Sequence, residues 1–195
     1  MTQRTRDRSL GDGVYFARDD YIGLGPRFVI LIVDSVVLVA IVWLLSFTWL
    51  SFADDYNVTF AVITALAIWL YVVPLKRSAI RTVGYQLTGA KLVTLQGGRP
   101  SLFMLTFRSL LWTLGPFNLI FDLIWSGIDD DRQTMRDRYS YMCLVKNAAH
   151  PIGTGEIHVA YVYAIGYNFA YPHVVHPKTA DVQPGAGVTK CDRTK

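Results

Sequence analysis

Charge is scarce in this 195-residue chain: Asp, Glu, Lys and Arg together make up 17%, against about 25% in ordinary globular domains. Cysteine is scarcer still. Cys143 and Cys191 are the two present, too few for a disulfide framework. The P-loop, HExxH, GxSxG and dinucleotide-binding patterns do not occur. No nucleophile–base pair or metal-ligand set stands out either, so neither an enzyme nor a cofactor is expected. All four histidines (His150, His158, His173 and His176) fall near the C-terminal end, where Pro172 and Val174-Val175 argue against a helical i, i+3 metal site. Basic residues are absent from one short stretch, Ser51 to Asn57, which carries Asp54 and Asp55 instead.

What the chain has is apolar length. It is 52% hydrophobic with a mean hydropathy of +0.29. Phe28 to Trp49 contains one charge, Asp34, with Arg27 directly before it. At 1.5 Å per residue that run spans about 33 Å, enough to cross a hydrocarbon core of about 30 Å. Residues 58 to 75 form a second uncharged run with Pro74 near its end. These two runs are the expected transmembrane helices, antiparallel because the link between them is short. The first is too long for a signal-peptide core and reads as an uncleaved signal anchor.

A third apolar region, 102 to 126, holds Arg108, a Gly115-Pro116 break, Asn118 and Asp122. It reads either as a third span or as two short pieces forming a shallow broken hairpin. Charge distribution favours the hairpin. Arg4, Arg6, Arg8, Arg18 and Arg27 precede the first span, and Lys76, Arg77, Arg81, Lys91 and Arg99 follow the second. A hairpin keeps all basic segments on one side, as the positive-inside rule requires. The expected location is a bacterial-type cytoplasmic membrane, multi-pass, with the N-terminus in the cytoplasm. The +4 net charge is therefore orientational. No basic helix or aromatic platform suggests nucleic acid as a partner.

The expected fold class is an all-α membrane protein: two transmembrane helices, the third hydrophobic region, and a small cytoplasmic β-ladder. The ladder would pair Ala90–Leu95, which precedes the turn Gln96-Gly97-Gly98-Arg99-Pro100, with Tyr139–Lys146. Residues 1–13 read as a mobile N-terminus, 14–147 as the transmembrane domain and 148–195 as a largely flexible extension. Within the extension Ile157–Phe169 is β-prone. The aromatics Tyr15, Phe16 and Tyr21 read as headgroup-level anchors.

A carboxylate in an apolar helix costs on the order of 3 kcal/mol at the bilayer centre, so Asp34 requires a partner. Arg27 lies seven residues earlier on the same helical stripe, about 10 Å away along the axis. Arg108, arriving from another segment, is the expected counter-charge. Asn118 and Asp122, four apart, share a face and would complete a polar cluster with Arg108 and Asp34. Three readings are open for Asp34: an ion pair that locks helices together, a carboxylate that handles an ion or proton, or a neutral, protonated group with no role.

Several of these pieces, in this order, resemble the RDD family of membrane proteins. Arg27 and Asp34 stand at the family's spacing in RFVILIVD. The segment RTVGYQLTGAKLVTLQGGRPS, 81–101, is similar to its Gly/Thr-rich block through Thr82, Gly84 and Gly89, with Tyr85 where a lysine is common. LFMLTFRSLL supplies Arg108, and Arg132-Gln133-Thr134-Met135-Arg136-Asp137 resembles the closing motif, with Arg136 replacing a frequent histidine. The resemblance implies that Asp137 is the second characteristic aspartate. It also implies a membrane-embedded protein with a transport-related role for an ion or small solute, cation/proton exchange being one form suggested for some members. The expected partners are the lipid bilayer, further copies of the chain, and a cation or proton. A non-catalytic anchor that recruits a partner through its cytoplasmic face and tail is the alternative.

Overall fold

The computed structural model describes residues 10–53, 55–113, 122, 125–127, 132–164 and 167–176. The Gly115-Pro116 break, Asn118 and the run Asp129 to Asp131 lie outside those residues.

The first apolar run forms α1, Leu24–Leu50, with Pro26 in its opening turn, where a missing N–H costs nothing. The second forms α2, Val58–Val72, capped by Asn57 Oδ1, which accepts from Phe60 N–H at 3.1 Å. Pro74 then ends α2 and opens a further turn, α3, Pro74–Arg77. Trp49 meets Phe60 near the start of α2, while Asp34 meets Tyr71 near its end. The two helices are therefore antiparallel.

Ile32, Val36, Val39, Trp43 and Phe47 recur at helical spacing on α1 and are each 59–68% exposed. An apolar stripe of this extent is not a soluble surface; it fits the hydrocarbon of a bilayer. The opposite stripe of α1 is buried only near its start, at Arg27, Ile30 and Asp34. Thr48, on the same stripe further along, is exposed and bonds back to Leu44 O. The body of the protein thus gathers around the first third of α1.

That body is mixed α and β, which corrects the all-α expectation. Strand β1 is Asp12–Tyr15. A short helix α4, Val83–Leu87, leads to β2, Ala90–Thr94. Then come α5, Leu102–Thr113, α6, Met135–Tyr139, and β3, Met142–Lys146. Strands β4, Gly153–Ala164, and β5, Tyr167–Val174, close the order. The expected ladder is present: β2 and β3 pair antiparallel, with Leu92 opposite Leu144. The turn after β2 is also where the sequence puts it. Gly97 sits at φ +81°, a conformation that favours glycine, and its N–H donates to Thr94 O at 2.8 Å.

Alternation gives this ladder two covered faces. Leu92, Met142 and Leu144 pack with Ile22, Ile30, Val73, Tyr85 and Leu105. Cys143 and Val145 pack with Phe16, Tyr21 and Ala149. Phe16, Tyr21 and Ile22 are 3–4% exposed, so these residues are core rather than headgroup anchors. The juxtamembrane segment covers the ladder because Tyr21 bridges to Val145.

A second sheet has the order β1-β4-β5. Ile157 lies opposite Val174, and both pack on Leu95. Strands thus occupy much of the expected extension, and one of them pairs with Asp12–Tyr15 near the other end of the chain.

Candidate polar site at the base of the first helix

Asp34 projects from the inner stripe of α1 into a set of neutral donors. Its Oδ1 accepts from the Tyr71 hydroxyl at 2.9 Å and from Gly84 N–H at 2.9 Å. Its Oδ2 accepts from the Thr82 hydroxyl at 2.9 Å. Thr82 is the residue before α4 and does not cap it with its own side chain. Asp34 supplies that cap from another helix, taking a backbone N–H that would otherwise be orphaned. Lys76 stands 3.9 Å from Oδ2 and lies over the Tyr85 ring, 5.1 Å from its centroid.

This corrects the expected pairing. Arg108 does not serve Asp34; it serves Asp137, which is fully buried in the first turn of α6. Arg108 Nε donates to Asp137 Oδ1 at 2.8 Å, and Nη2 lies 2.7 Å from the same oxygen. Arg27 Nη1 donates to Oδ2 at 2.9 Å. The remaining donors of Arg27 reach Ile22 O at 3.0 Å and Arg132 O at 2.8 Å. One carboxylate thus ties α1 to α5 and α6 across more than a hundred residues of sequence.

Local chemistry places Asp137 there. Thr134 and Asp137 form a capping box: Thr134 Oγ1 accepts from Asp137 N–H at 3.1 Å, and Asp137 Oδ2 accepts from Thr134 N–H at 3.4 Å. Burial alone would raise the Asp137 pKa. The guanidiniums of Arg108, Arg27 and Arg136 outweigh it and hold the carboxyl well below the usual carboxylate range.

Asp122 pairs with Arg136, whose Nε donates to Oδ2 and whose backbone N–H donates to Oδ1 at 3.2 Å. Burial, then the neighbouring Arg108, push the Arg136 guanidinium below its ordinary value.

Arg27, Asp34 and Arg108 line one cavity of about 110 Å³, together with Lys76, Tyr85 and Arg136. The two parts of the site therefore share a wall although their ion pairs are separate.

A model of the RDD family matches residues 21–141. The chain belongs to the RDD family. No curated protein and no solved structure matches it. The matched RDD segment begins at Tyr21 and ends at Tyr141, so it holds Arg27, Asp34 and Asp137 and excludes β1, β4 and β5. With the two long apolar helices, RDD membership makes this a membrane protein.

The structure gives the RDD-like motifs separate physical jobs. Arg27 and Asp137 hold each other, while Asp34 is held by Thr82 and Gly84 of the Gly/Thr-rich block. Sequence reasoning missed Tyr71, Thr82 and Gly84 as partners of Asp34 because neutral donors leave no charge signature. Lys76 entered only as an orientational charge. Its place directly after the second apolar run was the available signal.

Proposed function

We propose a transport-related role for this membrane protein, with the cavity beside Asp34 as the place where a small charged solute is handled. The observation that supports this reading is the cavity itself. It lies against α1 at the buried start of an otherwise lipid-facing helix and is lined by Arg27, Asp34, Lys76, Arg108 and Arg136. Membrane-embedded ionisable groups are costly and usually face a bundle interior or a water-filled path. Asp34 beside Lys76 is a carboxylate with a movable cation, suited to exchange that cation for a proton or another ion.

The two spanning helices among the described residues are too few to enclose a path, which supports a homo-oligomer as the acting form. Arginines before α1 and basic residues after α2 support a cytoplasmic position for both flanks, by the positive-inside rule. Topology reporters should put Asp55 outside and Gly97 inside.

The experiment is flux in proteoliposomes. Asp34→Asn should lower protein-dependent flux by about tenfold or more, the consequence of losing ~1.5–3 kcal/mol of charge-assisted hydrogen bonding. Unchanged flux would remove Asp34 from the mechanism.

A second reading, a membrane anchor that recruits a partner, draws on the β4–β5 hairpin. Tyr161 and Tyr163 alternate onto one face and are 70% and 72% exposed, and exposed aromatics are common interface anchors. Replacing both with serine should release the partner while leaving the melting of the membrane part unchanged. A partner that stays bound contradicts this reading.

A further inference from the structure

Among the described residues, the cavity wall carries more positive charge than the carboxylates around it neutralise. Four cations line it: Arg27, Lys76, Arg108 and Arg136. Three carboxylates stand against them: Asp34 within the wall, and Asp122 and Asp137 as ion-pair partners of the wall arginines. Among the described residues one positive charge is left over.

The donors on these cations are unevenly used. All three guanidinium nitrogens of Arg27 are engaged, by Ile22 O, Asp137 and Arg132 O. Lys76 has no acceptor within hydrogen-bond distance among the described residues; its nearest carboxylate oxygen is at 3.9 Å. Arg136 gives Asp122 its Nε and backbone N–H and leaves both Nη groups without a partner among the described residues. Arg108 likewise spends Nε and Nη2 on one oxygen of Asp137 and leaves Nη1. These unused donors belong to side chains that line the cavity, where they suit an anion that enters it. Ser109 and Thr134 add polar wall, while Leu31, Leu38 and Val72 make the α1–α2 side apolar.

We propose that this cavity binds a phosphate-type oxyanion of single negative charge, held by Lys76, Arg108 and Arg136. A planar guanidinium suits a tetrahedral oxyanion, and a lysine adds a mobile point charge. Two sources share this chemistry: free phosphate, and the phosphodiester of an anionic lipid whose chains lie along the apolar α1–α2 wall. The inference uses the same cavity as the transport reading but requires no transport.

The test is binding to the purified full-length protein. Inorganic phosphate is titrated in zwitterionic detergent by equilibrium dialysis with labelled phosphate. Phosphatidylglycerol and phosphatidylcholine are compared as retained adducts by native mass spectrometry. Saturable binding of phosphate, or retention of phosphatidylglycerol over phosphatidylcholine, supports the site, and the arm that responds identifies the source. Lys76→Gln should weaken that binding about tenfold or more, the factor that corresponds to ~1.4 kcal/mol. Lys76→Arg, which keeps the charge, should retain it. Should Lys76→Gln not fold, the wild-type arms still decide. If neither arm binds saturably, or a folded Lys76→Gln binds as tightly as the wild type, the proposal is overturned. Phosphate or lipid binding without any flux sinks the transport reading alone.

Discussion

Asp137→Asn should cost about 3–5 kcal/mol of stability, the range found when one member of a buried ion pair is removed. The carboxylate is fully buried and holds Arg27 on one oxygen and Arg108 on the other. Asparagine keeps the shape but removes the charge, and it turns one acceptor into a donor aimed at a guanidinium. Two buried cations are then left facing an uncharged group. A surface pair would lose under about 1 kcal/mol by the same change, so the magnitude separates the two cases. The measurement is unfolding in detergent, followed by tryptophan fluorescence. The same ion pairs set an acid limit. Because the folded carboxyl titrates below its ordinary value, its stabilisation is complete above the unfolded pKa of about 3.9 and is lost as the pH falls through that value toward the folded one. The wild type should therefore lose stability below about pH 4, whereas Asp137→Asn, lacking this term already, should show a flatter acid limb. A wild-type-like melting profile for the variant would mean that the three-residue clasp does not hold α1 to α5 and α6.

Apolar length and its interruptions were the most legible part of the sequence. Both long helices, the turn at Gly97 and the pairing of 90–94 with 142–146 follow from hydrophobic runs, turn residues and alternation, all local signals. What was not legible depended on which distant residue a side chain meets. Arg27 and Asp34 do share a stripe, yet they face different neighbours: Arg27 turns to Asp137, and Asp34 turns to α4. Charge matching chose Arg108 for Asp34, because a hydroxyl or a backbone N–H does not advertise itself as a carboxylate's partner. The β1-β4-β5 sheet was missed for a related reason. Its first strand is four residues long, and its partner lies roughly 140 residues away; the aromatics beside it likewise pack on sheets and not on headgroups, Phe16 and Tyr21 against the β2–β3 ladder and Tyr15 against Ile157 and Val174. Membrane context biases such reading, since aromatic residues near a span have two good explanations.

The two aspartates also divide a structural task. Asp34 fixes the segment that follows α2 by capping α4, and Asp137 fixes the segment that follows α5 by capping α6. Each short helix then runs directly into one strand of the β2–β3 ladder. Arg27 and Asp34 on α1 therefore hold the segments that lead into both ladder strands, and a disturbance at either carboxylate should be transmitted to both Lys76 and Arg136 in the cavity wall.

The sharpest test of that coupling is Gly84→Ala. By helix propensity alone, alanine in α4 should stabilise the protein by up to about 1 kcal/mol. Packing demands the opposite sign. A Cβ at this position would sit 2.8 Å from Asp34 Oδ1 and 2.9 Å from both the Cα and the carbonyl oxygen of Ile30. The obstructing atoms are mostly backbone of α1, which cannot rotate away, so α4 must retreat. Retreat stretches the Gly84 N–H and Thr82 hydroxyl bonds to Asp34 together. Overpacking of this kind costs about 1–3 kcal/mol, and each charge-assisted hydrogen bond lost adds about 1.5–3. A net loss of at least about 2 kcal/mol is expected. Gly25→Ala is the matched control: it lies in the first turn of α1, and an added Cβ meets nothing within 4 Å. That variant should be neutral or slightly stabilising. Because Gly84→Ala and Asp34→Asn break the same contacts, their combination should fall short of additivity by about 1 kcal/mol or more. Full additivity, or a Gly84→Ala protein as stable as the Gly25→Ala one, would mean that the close approach of α4 to α1 is not what holds Asp34 in place.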